Sequence, residues 1–230
     1  MKKVTILAAM HGDEVYGVQL YNAFVDKFST MKPFVQLVIG NEPAYRQGVR
    51  FIDSDMNRSF RLSATNNETK QINRLNNELM QFNPDYILDI HTTRRDSGIF
   101  WIVGSLNATT RKICGIFNFD ICIMKDEVVE SSFIGNSNTA VSLEYSLSCI
   151  NQEQTDIFLK GLSQLIRDSV NRPQRQRVYE ARSLISELQF KSYPNLKNYD
   201  EQAEGVALMV PKSINEMDAE YYGFWCTRTE

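Results

Sequence analysis

The chain has 230 residues, of which 43% are hydrophobic and 23% charged, so it can build a hydrophobic core and is not a disordered protein. Its net charge of −3 argues against a nucleic-acid-binding protein, and no apolar run approaches the roughly 20 residues that cross a bilayer. Four cysteines without CxxC spacing indicate reduced thiols and a cytoplasmic location. Only two histidines are present, His11 and His91, so any histidine-based chemistry depends on them.

Apolar runs typical of strands alternate with helical patterns along most of the chain. In chain order, the sequence predicts strand 4–10, helix 15–28, strand 34–39, polar loop 41–63, helix 68–82, strands 86–90 and 99–103, helix 107–117, strands 121–124 and 140–143, and helix 152–170. The first run follows two lysines and superficially resembles a signal peptide. Because it lacks a small-residue cleavage site, we interpret it as the first strand.

This alternation predicts an α/β fold with a mostly parallel central sheet flanked by helices. The character of the sequence changes after 171–173, where an Asn-Arg-Pro segment is followed by short β-rich pieces. We therefore expect two domains, an α/β domain at 1–173 and a small β-rich C-terminal domain at 174–230.

Polar side chains follow several predicted strands where each one ends. His11 and Glu14 come directly after the first strand, and His91 and Glu144 follow two later ones. Such groups converge at the carboxyl edge of an α/β sheet if the strands are neighbours. Two imidazoles and a carboxylate form a complete catalytic zinc set with one position open, and Glu144 could then move protons. Asp89 lies on the face of its strand that carries His91 and could orient it.

Each of these patterns also has an ordinary explanation. A lone histidine or glutamate after a strand is usually a solvated loop residue or a cap, and an HxxE pair alone is a weak signal. The loop residues Arg50, Asn57 and Arg58 could grip a carboxylate, because the guanidinium fork matches its geometry. They also fit a solvated loop of alternating charge. From spacing alone, both interpretations stay open.

Taken together, four motifs occur in one order along most of the chain. They are His11-Gly12-Asp13-Glu14, Arg50 with Asp55-Met56-Asn57-Arg58-Ser59-Phe60, Asp89-Ile90-His91, and Leu143-Glu144. This order resembles the succinylglutamate desuccinylase/aspartoacylase family of zinc amidohydrolases, and aspartoacylase in particular. The resemblance implies a carboxypeptidase-like fold. Aspartoacylase has an arginine in the segment that corresponds to 134–138, and this chain has none there.

The resemblance also implies a role for each matching residue. It makes His11, Glu14 and His91 the ligands of one zinc ion per chain. Glu144 becomes the general base and acid, and Arg50 polarises the scissile carbonyl. Asn57, Arg58 and Tyr221 are then the substrate-binding residues, with Tyr222 as the alternative tyrosine.

We therefore expect a zinc-dependent hydrolase that cleaves the amide bond of a small N-acyl amino acid resembling an N-acylated aspartate or glutamate. The alternative is a metallocarboxypeptidase that acts on a peptide C-terminus, where Arg58 would hold the terminal carboxylate. A third hypothesis is that the chain is not an enzyme but a catalytically inactive zinc-binding or scaffolding module. Neither nucleic acid nor a membrane is an expected partner, and a homo-oligomer is compatible with the sequence.

Overall fold

The computed structural model of the protein describes residues 1–63, 65–125, 127–169, 176–209 and 222–230. Its α-helices are α1 (Tyr16–Lys27), α2 (Glu42–Gln47), α3 (Asn67–Phe82), α4 (Ala108–Phe117), α5 (Glu127–Glu130), α6 (Gln152–Arg167) and α7 (Glu187–Ser192). Its strands are β1 (Val4–Ala8), β2 (Val35–Ile39), β3 (Tyr86–Thr93), β4 (Ile99–Val103), β5 (Asp120–Ile123), β6 (Ala140–Ser146), β7 (Val178–Leu184), β8 (Glu201–Gln202), β9 (Gly205–Leu208) and β10 (Phe224–Arg228).

The strands form one sheet in the order β2-β1-β3-β6-β4-β5-β7-β10-β9-β8. From β2 to β7 every pairing is parallel except that of β4 with β6, whereas the pairings beyond β7 are antiparallel. This architecture confirms the predicted α/β fold. Strands from the C-terminal segment extend the sheet of the first segment, and the division into domains at residue 173 stays a prediction.

Helices cover both faces of the sheet. On one face α1, α4 and α6 bury Phe24, Phe117 and Phe158 against the strands. On the other face Leu75 of α3 and Phe133 lie in a second hydrophobic cluster. Burial of such side chains contributes about 1.5–3 kcal/mol each and is the main stabilisation of the layers. No helix in the described part of the chain is long and apolar enough to span a membrane.

The predicted elements lie close to the observed ones, with two instructive differences. Strand β1 ends at Ala8 rather than at residue 10, because Ala9 adopts a left-handed conformation with φ of 51° and turns the chain. The predicted loop 41–63 contains the short helix α2. Asn41 caps this helix by accepting a hydrogen bond from the backbone of Ala44, and Gly48 ends it with φ of 65°.

Candidate metal centre

The turn after β1 places His11 and Glu14 side by side. The backbone N–H of Glu14 donates to the carbonyl of His11 at 3.0 Å, which closes the turn. Gly12 lies so close to α2 that an added Cβ atom would come within 2.2 Å of the carbonyl carbon of Ala44. The same glycine donates its N–H to the carbonyl of Arg50 at 3.0 Å. A glycine is therefore required here, and it brings the Arg50 backbone next to the turn.

The other two predicted residues come from neighbouring strands in the middle of the sheet. His91 of β3 is the register partner of Glu144 of β6, so both side chains project from one face. Asp89 lies two residues before His91 and shares that face. The side chains of His91 and Asp89 are buried, as are those of His11 and Glu14.

Glu14 lies between the two imidazoles. Its Oε1 atom is 2.7 Å from Nδ1 of His11, and its Oε2 atom is 3.0 Å from Nδ1 of His91. The backbone N–H of Thr92 also donates to Oε2 at 2.9 Å. The carboxylate therefore faces the same ring nitrogen of both histidines.

The remaining ring nitrogens face further carboxylates. Nε2 of His91 is 3.0 Å from Oδ2 of Asp89, as the sequence predicts. Nε2 of His11 is 3.2 Å from Oδ1 of Asp55, a contact that the sequence does not predict. A carboxylate on the second nitrogen fixes the orientation of an imidazole that binds metal through the first.

These contacts shift the pKa values of the cluster. Burial alone would lower the pKa of both histidines. The carboxylates of Asp89 and Glu14 outweigh burial at His91 and raise its pKa. The carboxylates of Glu14 and Asp55 do the same at His11. Burial would raise the pKa of Glu14, yet the two imidazoles hold it well below its usual range. The pKa of Asp55 falls to about 2, since the hydrogen bond from His11 and nearby positive charges outweigh its burial.

Glu144 is in a different situation, because burial dominates and raises its pKa. The neighbouring carboxylates of Glu14 and Asp89 act in the same direction, while the imidazoles oppose them. A carboxyl group whose pKa is raised in this way holds a proton more readily than a solvated one. This property suits a group that accepts a proton and returns it.

Arg50 lies against the cluster. Its Nη1 atom donates to Oε1 of Glu14 at 3.3 Å, and its Nη2 atom is 3.2 Å from Nε2 of His11 and 4.0 Å from Oδ2 of Asp55. About a third of the side chain is exposed. The guanidinium is thus positioned at the border between the buried cluster and solvent.

Asn57 and Arg58 follow Asp55 in a short 3₁₀ turn. The Asn57 backbone N–H donates to Oδ1 of Asp55 at 2.8 Å, and the Asn57 side-chain oxygen accepts from the backbone of Phe133 at 3.1 Å. Nη1 of Arg58 donates to the carbonyl of Asn57 at 2.9 Å. Both residues are therefore linked to the cluster through Asp55.

Tyr221 lies outside the described residues. The alternative tyrosine, Tyr222, is buried in a C-terminal hydrophobic cluster, where its ring stacks on Phe190 with 4.9 Å between the centroids. Near the segment that lacks arginine, Arg61 and Lys125 line a cavity of about 240 Å³ together with Asn138. Arg61 is paired with a glutamate, Glu130, at 2.7 Å.

The residues present fit a divalent metal ion. The ligand atoms of His11, Glu14 and His91 all lie within 4.8 Å of one another, and the three side chains are buried. Two imidazole nitrogens and a carboxylate are the donor set of catalytic zinc sites. The two outer carboxylates leave Nδ1 of both histidines directed inward, which is the arrangement a shared ion requires.

Residues 1–118 match the family model of the succinylglutamate desuccinylase/aspartoacylase catalytic domain. A probable aspartoacylase of Prochlorococcus marinus subsp. pastoris is 38% identical over 106 residues, covering 43% of this chain and 36% of that protein. A probable aspartoacylase of Trichodesmium erythraeum is 25% identical over 178 residues, covering 70% of this chain and 61% of that protein. The match to the Prochlorococcus protein therefore spans about a third of that relative's length.

Solved structures share the fold. The succinylglutamate desuccinylase of Chromobacterium violaceum has a TM-score of 0.72 at 14% identity, covering 100% of this chain and 85% of that one. Murine aminoacylase 3 has a TM-score of 0.68 at 16% identity, covering 99% of this chain and 95% of that one. At such low identity these likenesses concern the fold, and they extend over the whole described chain.

Proposed function

This chain belongs to the succinylglutamate desuccinylase/aspartoacylase family, and on that premise we propose that it is a zinc-dependent hydrolase of small N-acyl amino acids. The products would be a carboxylate and a free amino acid. The observation that carries the proposal is the buried cluster of His11, Glu14 and His91 next to Glu144 on the same face of the sheet. Action in the cytoplasm and association into a homo-oligomer stay predictions.

In the proposed site, His11, Glu14 and His91 hold the metal. A zinc ion bound there lowers the pKa of water and polarises a carbonyl group. Glu144 accepts the proton of the attacking water and delivers it to the nitrogen of the departing amine. Its burial supports this role, since a raised pKa makes the carboxylate a stronger base and brings its pKa closer to neutral pH, where a group can both accept and pass on a proton.

Three residues of the 50–58 loop complete the proposed site. Arg50 stabilises the negative charge that develops on the carbonyl oxygen, and its partly exposed guanidinium beside Glu14 supports this. Asn57 and Arg58 hold the substrate carboxylate. A planar guanidinium suits this task because it can donate two parallel hydrogen bonds. Tyr221 is proposed as a further substrate contact on the family resemblance alone.

The test is a hydrolysis screen with the zinc-loaded protein. The substrates are N-acetyl, N-succinyl and longer N-acyl derivatives of aspartate, glutamate and neutral amino acids, with N-blocked peptides as the comparison. We expect release of a free amino acid from at least one N-acyl amino acid, and its loss in Glu144→Gln. Release of C-terminal residues from the peptides alone would instead indicate a carboxypeptidase. No turnover of any substrate at full zinc content would indicate an inactive binding module.

A further inference from the structure

A fully buried carboxylate at the start of α3 binds the loop that carries the proposed substrate-binding residues. Glu68 is the second residue of α3 and its side chain has no solvent exposure. Its Oε1 atom accepts hydrogen bonds from the backbone of Ile52 at 2.8 Å and of Asp53 at 3.2 Å. Its Oε2 atom accepts from Asp53 and Ser54, both at 3.2 Å.

Three consecutive backbone N–H groups thus converge on one carboxylate. Such a concave arrangement of amides is an anion-binding nest, and here the anion is a side chain of the protein itself. The segment 52–54 is neither helix nor strand, so these amides have no ladder partner. Removing the acceptor would deprive three partly buried backbone donors of this partner, which disfavours the present path of the loop.

The anchored segment lies between two residues of the proposed site. Arg50 lies two positions before its first residue and contacts Glu14, while Asp55 follows it directly and contacts His11. A displacement of the 52–54 segment would break its hydrogen bonds to Glu68 and would also move the adjoining backbone. Arg50 and Asp55 are the site residues nearest to the segment on its two sides.

The same carboxylate also contacts the residue that caps α2, the helix against which the His11 turn packs. Oε1 of Glu68 also accepts from Nδ2 of Asn41 at 3.2 Å, and Asn41 caps α2 through Ala44. Gly12 packs on the backbone of that helix. One buried carboxylate thus connects α3, the 52–54 segment and the helix against which the His11 turn rests.

We propose that Glu68 is a positioning residue, which holds Arg50 and Asp55 in register with the metal cluster. The inference rests on the proposed function for its catalytic consequence but not for its structural content. Glu68 acts through the loop and touches neither metal ligand nor substrate. Because a misplacement of about 1 Å can reduce a rate by about 100-fold, a small loop displacement has a large effect on activity.

The experiment compares Glu68→Gln with the wild-type protein. The substitution preserves shape but replaces one accepting oxygen by an NH₂ group that cannot accept a hydrogen bond. We expect faster amide hydrogen exchange in the 52–54 segment, with exchange in the part of α3 that follows Glu68 unchanged. We also expect kcat/KM to fall about 10- to 100-fold, with a lower kcat and a higher KM, since the loop carries groups proposed for both. Glu68→Asp keeps the charge but is one methylene too short, and it changes both readouts in the same direction.

Two control variants on α3 separate positioning from general stability. Glu78→Gln makes the same chemical change in a side chain that pairs with Arg74 at the surface, and kcat/KM should stay as in the wild type. Leu75→Ala opens a cavity in the core and lowers Tm, yet it leaves the loop contacts intact. Its kcat/KM should stay within about threefold of the wild type at a temperature where it is folded, well short of the loss expected from a misplaced catalytic group.

The proposal is overturned if Glu68→Gln retains wild-type exchange at 52–54. It is equally overturned if Leu75→Ala and Glu68→Gln lose activity in the same proportion to their fall in Tm. If the wild-type protein hydrolyses no N-acyl amino acid, the proposed function fails. Hydrogen exchange at 52–54 then decides the anchoring by Glu68 separately.

Discussion

His91 of β3 and Glu144 of β6 are register partners on adjacent parallel strands, and their side chains project from the same face of the sheet. His91 belongs to the cluster of potential metal ligands with His11 and Glu14, whereas Glu144 lies beside that cluster without belonging to it. This separation lets metal binding and proton transfer be tested independently, by substituting one partner at a time.

Glu144→Gln should abolish most of the activity while the protein keeps its zinc. Loss of a general acid–base group typically costs about 10²- to 10⁴-fold in rate, and the amide is too weak a base to replace the carboxylate. Initial rates and zinc content measured on the same preparation test this. Glu153→Gln, at an exposed position of α6, is the matched control. Unchanged turnover in Glu144→Gln would exclude the assigned role.

His91→Ala should lose both the zinc and the activity. In the proposed site the imidazole supplies one of three protein ligands, and the chain has no other histidine than His11. Purified protein is expected to contain about one zinc per chain and the variant close to none, as measured by elemental analysis. Full metal content in His91→Ala would show that the ligand assignment is wrong.

Asp55→Asn should weaken zinc binding about 10- to 100-fold, because it removes the carboxylate that faces Nε2 of His11. Asp89→Asn should do the same through His91. Competition with a chelator measures the affinity. Asp53→Asn, two residues before Asp55, contacts Asn67 instead and is expected to bind zinc normally. Equal affinity in all three variants would mean that the outer carboxylates do not support the site.

The stabilisation by zinc should increase with pH. In the metal-free protein the pKa values of His11 and His91 lie above the ordinary 6.5, so their ion pairs with Glu14 stabilise the fold at low pH and are lost as pH rises through those raised values. Zinc requires neutral imidazoles, so its contribution grows over the same interval. The difference in Tm between zinc-loaded and metal-free protein should therefore widen as pH rises above about 6.5 and through the raised pKa values of the two imidazoles. A constant or narrowing difference contradicts this, and His91→Ala should show no difference at any pH.

Arg58→Ala should raise KM more than it lowers kcat. Loss of a hydrogen bond to a charged group costs about 1.5–3 kcal/mol, which corresponds to about 10- to 100-fold in affinity. The effect should disappear with the methyl ester of the substrate carboxylate, since the partner charge is then absent. Arg61→Ala is the control, because Arg61 pairs with Glu130 at the surface. An equal loss with acid and ester would place Arg58 away from the carboxylate.

The sequence predicted that His11, Glu14, His91 and Glu144 lie at the carboxyl ends of strands, because apolar runs end close to these residues. His11 and Glu14 do follow β1, whereas β3 and β6 continue past His91 and Glu144 to Thr93 and Ser146. The pairing of His91 with Asp89 was also predictable, since residues two apart share a face of a strand. The short helix α2 was missed, because six residues are too few to show a helical period and its cap lies inside a segment that reads as a loop.

Other relations depend on the path of the chain in three dimensions. Asp55 meets His11 across 44 positions of sequence, and Glu68 reaches back 14 to 16 positions to bind the amides of 52–54. Neither contact follows from local periodicity. Both depend on how the loop returns to the carboxyl edge of the sheet, and that path is fixed by long-range packing against α3.

The sequence by itself thus determined the α/β alternation, the family resemblance and the residue types available for a metal site, because these are local in the chain. Only the tertiary structure decided that Nδ1 of both histidines faces Glu14, that Asp55 lies behind His11, and that Glu68 holds the loop. The physical reason is that hydrogen bonds are sensitive to fractions of an ångström and to direction. Strand order and loop path set those distances, whereas spacing along the chain does not.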